Sequence, residues 1–522
     1  MLFWLARFYG FLTRKVNVKK SALLIAKIIF SLSLLVIVLI LPENSAAVNL
    51  RGYFPGDWVS YTKTRYVRTI DVGFSNVYFG TTEGILVYDM DRDEWKDPIT
   101  RSDGLPDQNI EMIAVEPDDS KIYVRTPSGY YQYEYVFEEW SPLMQFPMEL
   151  YSNDLSRVQN LQTYIPPIGY HLFAPNTLQG PELRDYQIVA ASETRSGDFW
   201  LGTWGRGVAK IESYGLDFEL DQYGLYNSDC RAIYRSGETM YFGGRATTES
   251  ENALTVWDRD SDEWKYYEAR YTDRFTSDYI NDIIGAGDYI FLATDYGLVK
   301  INAKTGSFRA YTQPQYLHSD IVLSLEYNRG HLYFGTDMGM YDLDIKKDSI
   351  RYMGGTLIGD AAVLDIKFYK GDLWVGTDNG AMRYDFGTNR FYRYSSTGGA
   401  LLRIITDIEE NPEGGLWFAG EDGVLLMDDH FEESDRFYTQ LDLDGFMPNK
   451  ILVSERYLWI GTDNGLYRYN RVKKDWAHYT EDDGLIYGQI FDLLLEDDYL
   501  WIATAEGVTR FYWNNPLRGQ DY

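Results

Sequence analysis

One phrase returns along this chain about every 42 residues, and that constrains its fold more than any other feature. Its fullest form is Leu458-Trp-Ile-Gly-Thr-Asp-Asn-Gly-Leu-Tyr-Arg-Tyr469. Relatives start at Val77, Phe199, Ile290, Leu332, Leu373, Leu416 and Leu500, with degraded copies at Ile122 and Met240. The small residue at the fourth position falls at 80, 202, 243, 293, 335, 376, 419, 461 and 503, and Arg125 stands in once. A fixed period of this length marks an array of supersecondary units rather than several unrelated domains.

Each unit reads as four strands. Ile404–Ile408 alternates as an inner strand and Leu416-Trp-Phe418 as the second. A tight turn ending in glycine follows, because glycine supplies positive φ without strain. Leu466–Tyr469 alternates as a third strand. An outer strand then carries Trp95, Trp140, Phe308, Phe391 or Trp476. The small fourth residue fits a place where backbones approach closely. Aromatics make up 16% of the chain, including 45 tyrosines, a composition suited to pleated, half-buried surfaces. The expected fold is all-β: a β-propeller of about ten four-stranded blades.

Closure is also readable. The last unit ends at Val508–Trp513 without an outer strand, while Asp57-Trp-Val-Ser-Tyr-Thr62 matches the outer strand Asp475–Thr480. The N-terminal strand is therefore expected to complete the last blade and hide its edge. Pairing between the chain ends favours one ring of about ten blades. Two smaller rings would need a second closure inside the chain.

Residues 1–47 carry six basic side chains and one acid, and Ile28–Leu41 is apolar apart from Ser31 and Ser33. With Pro42 and Ser45-Ala46-Ala47 this has the layout of a secretory signal cleaved after Ala47. The rival reading is an uncleaved anchor over residues 21–41. Both export residues 48–522 to the periplasm or cell surface, because the basic flank stays inside. The membrane is then met only through this segment. The formal net charge is −29, with the basic groups of the N-terminal segment already counted. Such a body repels phosphate backbones, so nucleic acid is not an expected partner. A single cysteine, Cys230, excludes a disulfide within one chain and any multi-cysteine metal site.

The units resemble the two-component regulator propeller repeat: Leu-Trp-hydrophobic-Gly-Thr-x-x-Gly-Leu, an aromatic, then Asp-Gly-Leu as at 103–105 and 483–485. The resemblance covers nearly all of residues 56–513. It implies propeller blades and, in that family, periplasmic sensor portions of hybrid two-component proteins, many responding to carbohydrates. No second span, kinase or DNA-binding region follows within these 522 residues. A stand-alone receptor, envelope scaffold or accessory subunit is therefore expected.

By analogy with other propellers, the turns between second and third strands share one face with the loops between blades. That face would present Glu83, Trp204, Arg206, Asp295, Tyr296, Asp337, Asp378, Asn379, Glu421, Asp422, Asp463, Asn464 and Glu506. Asp and Asn at such positions also serve local turn chemistry. As a ring of acids they form a donor set for Ca²⁺, and no other cofactor is expected. Two insertions break the period. Residues 141–186 bring Tyr164, Tyr170, His171 and Phe173, and Arg245–Ala253 lengthens one turn. Long loops rich in aromatics read as a lid, a partner-binding flap or a packing flap. His318 lies in another inter-blade loop. Trp204 and Tyr296 either stack on a sugar ring or plug the ring centre.

None of the five histidines belongs to a His-x-His or His-Glu-x-x-His motif, and no nucleophile elbow or P-loop occurs. The expectation is a non-catalytic receptor or sensor subunit binding a carbohydrate or an envelope protein. A cell-envelope scaffold is the alternative, and a polysaccharide hydrolase using paired carboxylates, or a lyase using His171 and His318, comes third.

Overall fold

The computed structural model describes residues 53–518, apart from 55, 138, 154–163, 216, 246–251, 356, 395–400 and 402. The expected leader or anchor lies outside these residues, as does most of the second insertion.

Ten four-stranded antiparallel units are present, one of them extended to six strands by an added hairpin. The N-terminal strand Trp58–Tyr61 completes the last blade, with Trp58 opposite Phe511 and Tyr61 opposite Val508. The rings of Trp58 and Phe511 stack at 3.7 Å.

The repeated phrase now has a physical account. In Gly-Thr-x-x-Gly the threonine closes the turn. Thr462 Oγ1 donates to the Gly465 carbonyl at 2.9 Å and accepts from the Asn464 amide at 3.1 Å. Thr294, Thr336, Thr377 and Thr504 do the same in their own blades. The tryptophan fills the space between blades: Trp374, Trp417, Trp459 and Trp501 are fully buried. The small fourth residue receives the inner strand of the following blade. A Cβ placed on Gly461 would lie 2.5 Å from Ile490 Cγ2, and one on Gly202 would lie 2.7 Å from Val67 Cγ1.

The Gly202–Val67 contact settles how the blades are ordered. Blades 1, 2 and 3 begin with the inner strands Val67–Val72, Met112–Val115 and Asp185–Glu193. Blade 3 is followed in space by blade 1, and blade 1 by blade 2 through Gly80 and Ile110. These three form an open arc. Blades 4 to 10 begin with Asp229–Ser236, Ile280–Ala286, Val322–Asn328, Val363–Tyr369, Ile405–Glu410, Pro448–Val453 and Ile490–Glu496. They form a closed ring, because blade 10 packs against blade 4. The Asp492 carboxylate accepts the Ile233 amide at 2.8 Å, and Arg231 lies 4.3 Å from the Phe491 ring centre.

That link is the ring's general device. Asp282 accepts from the Leu325 amide, Asp365 from Ile408 and Asp407 from Ile451, each at 2.7–2.8 Å. Each aspartate ties one inner strand to the next and pairs an amide on the axial edge. In the arc, Asp71 accepts from Val115 in the same way.

The arc rests on the ring where the ring closes. One aromatic cluster joins Phe79, Tyr88 and Trp200 of the arc to Tyr61, Trp257, Trp264 and Trp501 of blades 10 and 4. Trp257 and Trp264 stack at 4.6 Å. Rings of this size bury large apolar area in specific geometries, so the arc is held firmly.

Candidate functional site

Between blade 3 of the arc and blade 4 of the ring lies a cleft of about 580 Å³. The arc wall carries Tyr170, Glu182, Tyr186, Arg206 and Gln222, and the ring wall Tyr226, Tyr266, Tyr271 and Glu268. Its volume falls in the roughly 300–1,000 Å³ typical of small-molecule sites.

The first insertion builds the arc wall. Its hairpin, His171–Phe173 with Thr177–Gln179, pairs onto the inner edge of blade 3. Leu178 is fully buried there. This hairpin packs on blade 3, and Tyr170 just before it lines the cleft. Arg206 Nε donates to Tyr170 Oη at 2.6 Å, and the same guanidinium engages Gln222. An ion pair crosses from arc to ring: Arg184 donates to Glu268 Oε2 at 2.8 Å and to Tyr226 Oη at 3.0 Å. Burial pushes the Tyr226 hydroxyl up to about 12, with Arg65 and Arg184 opposing. Tyr271 is presented on this wall with Arg270 and Arg184 at 5.1 and 5.5 Å from its ring centre.

The expected face residues divide between the two bodies. Trp204, Arg206, Tyr170 and His171 belong to the arc and do not share a rim with the acids of the ring. Of these only Tyr170 and Arg206 meet at the cleft. Trp204 packs edge-on against Tyr66 at 5.0 Å under Arg68, and plugs no ring centre. His171 is an exposed residue of the hairpin.

On the ring, the turn residues serve mainly local structure. Asp295 accepts from Arg245 at 3.0 Å and Asn281 at 2.9 Å. Asp337 accepts from Ser319. Asp378 accepts from the Ala362 amide at 3.1 Å and Glu421 from Arg403 at 2.9 Å. Asp463 accepts from Asn449 at 2.8 Å, and the Asn464 carbonyl from His478 at 2.8 Å. The His318 ring sits edge-on to Tyr352 at 4.7 Å. Among the described residues no three His, Cys, Asp or Glu side chains gather in an arrangement able to hold a metal ion. Asp295 and Tyr296 line a second cavity, of about 1,040 Å³, with Arg270, Phe275 and Asp278. Burial pushes the Asp278 carboxyl up to about 6, against the Ala269 amide that donates to it.

The inner strands hold the densest charge. Among the described residues, the cations that Asp282, Glu326, Asp365, Asp407, Glu409 and Asp492 face are Lys367 and Lys450. Lys450 lies 2.9 Å from Asp407 and Lys367 2.8 Å from Glu409. Burial pushes Asp282 up to about 7 and Asp492 to about 6, with Lys450 pulling both down. Four of these aspartates are engaged in tying the blades, which gives them a structural role.

Ten blades, radial stacking and a closing N-terminal strand define a β-propeller protein. No known family model matches the sequence, and no curated protein matches it. Among solved structures it is similar to the extracellular domain of BT4673 from B. thetaiotaomicron, described as a proposed hybrid two-component system. That likeness is 16% identical with a TM-score of 0.46, over 86% of this chain and 70% of that one. PorZ, a bacterial surface component of the type-IX secretion system of Porphyromonas gingivalis, gives 16%, 0.49, 86% and 69%. Virginiamycin B lyase from Staphylococcus aureus gives 13%, 0.44, 54% and 94%. Likenesses this distant, each with a TM-score under 0.5, carry no argument about this chain.

Proposed function

We propose that this chain is an exported, non-catalytic binding protein, a receptor or sensor subunit whose ligand seats in the cleft between arc and ring. The observation that carries the reading is the cleft itself. It is an aromatic-walled concavity with Arg206, Gln222, Glu182 and Glu268 placed among tyrosines. Exposed tyrosine faces receive the C–H face of a sugar ring, and the polar groups suit hydroxyls that must be paired when buried. An oligosaccharide therefore fits the lining better than an apolar ligand would.

Calorimetric titration of the exported protein against an oligosaccharide panel tests this. Binding to at least one member is expected, weakened roughly tenfold or more by Arg206→Ala and by Tyr271→Ala, in the range of a lost anchor contact. Binding that both substitutions leave unchanged would remove the cleft as the site. New reducing ends or unsaturated products would instead identify an enzyme.

A further inference from the structure

The two bodies differ at the end of the molecule opposite the rim, where first strands turn into second and third into fourth. In the arc these turns expose Phe74 (63%), Val136 (82%), Phe137 (67%) and Tyr214 (fully). Among the described residues, the corresponding ring turns expose one comparable side chain, Val472, and the tail after the last strand adds Leu517.

The arc turns are knitted into one surface. The Ser213 amide donates to Asp198, joining the two turns of blade 3. Arg195 of blade 3 lies over the Phe74 ring at 5.1 Å and donates to the Pro117 carbonyl at 3.1 Å. The Ser75 amide donates to Asp119 at 2.7 Å, and the Tyr135 amide to the Ser120 carbonyl at 3.3 Å. Exposed apolar side chains thus stand on linked turns of all three blades. Isolated exposed apolar residues need no explanation, but several gathered on the linked turns of one of two otherwise similar bodies do. Exposed Asp91, Asp118 and Glu212 stand on the same turns. The bases there are engaged, Arg92 with Glu94 and Arg195 with Phe74 and Pro117.

We propose that this end of the arc is a docking surface for a second protein, one that presents an apolar centre with a rim of lysine or arginine. A second copy of this chain would bring like charges together, and an anionic lipid surface would be repelled. The inference does not rest on the cleft reading, so either can fail alone.

The test uses the full chain in cells with benzoylphenylalanine at Phe137, and at ring residue Tyr392 as control, irradiated and analysed by mass spectrometry. The captured protein is then purified and titrated at about 50 and about 300 mM salt, a range over which surface charges are progressively screened. One partner is expected from position 137 and none from 392. Its affinity should fall roughly tenfold or more with Val136→Asp, with Tyr214→Asp and with the rise in salt, as for hot-spot residues within a charged rim. The melting temperature of each variant should match the parent. Attachment to a second copy, no attachment, or an affinity indifferent to salt and to both substitutions would overturn the proposal. Sedimentation of the chain with vesicles of phosphatidylcholine and phosphatidylglycerol, lost in Val136→Asp, would overturn it in favour of a membrane.

Discussion

A methyl group added at Gly461 tests the packing rule that orders the blades. The new Cβ would stand 2.5 Å from Ile490 Cγ2 and 3.1 Å from Ile490 Cβ, with the Lys450 carbonyl 3.6 Å away. Neither strand can yield without moving its blade, and Ile490 is fully buried. Overpacking of this kind costs about 1–3 kcal/mol, and the rigid neighbours place Gly461→Ala near the upper end. In a chain this large that corresponds to a fall in Tm of about 3 °C. Ile490→Ala alone removes a core side chain and costs about 2–5 kcal/mol. In the double variant the alanine methyl occupies space that Cγ2 has left. The pair should therefore cost less than the sum by about 1–2 kcal/mol, as expected for residues in contact. Arg125→Ala is the control. It occupies the same position in blade 2 but receives no following blade, so it should stay within about 0.5 kcal/mol. Urea titrations of the four proteins give the coupling. Additivity within about 0.5 kcal/mol would refute the contact and, with it, the ordering of blades that rests on such glycines.

Asp282 has its carboxyl raised to about 7 from 3.8, so the folded state holds its proton more tightly than the unfolded chain. Its stabilising effect is fully present below about pH 4 and is lost as pH rises through 7, by at most about 1.4 kcal/mol per unit. Asp282→Asn should therefore raise the midpoint at pH 8 and change little at pH 4.5; equal effects at both would contradict the assignment. Asp492→Ala removes the acceptor of the Ile233 amide, and hydrogen exchange at that amide should accelerate with a loss of about 1–3 kcal/mol. Thr462→Val leaves the Gly465 carbonyl and the Asn464 amide without their turn partner, and should lower Tm by a few degrees while binding at the distant cleft is retained.

Much of this architecture could be read from the period and from single residues. The blade count, the strand roles and the pairing of Trp58 with Phe511 followed from phrases that repeat, because each blade solves the same packing problem. The division into ring and arc did not follow, since the spacing from Gly202 to Gly243 is regular although the chain passes there from one body to the other. One signal did mark the boundary. Arg125 occupies the position where every other copy has glycine or alanine, and it can do so because blade 2 ends the arc. The cleft was only partly legible. Tyr170 and Arg206 stood out as an aromatic in an insertion and a cation in a turn. Tyr186, Tyr226, Tyr266 and Tyr271 sit on ordinary strands and loops, and acquire meaning only because blade 3 faces blade 4.

Blade 10 lying beside blade 4 is what separates the ring from the arc. Benzoylphenylalanine placed at position 491 reads that neighbour directly, because Phe491 lies under Arg231. Irradiation of the folded protein followed by peptide mapping should find the attachment within Asp229–Ser236. Attachment within residues 62–72, where blade 1 begins, would mean that all ten blades share one ring, and the arc and its cleft would have to be abandoned.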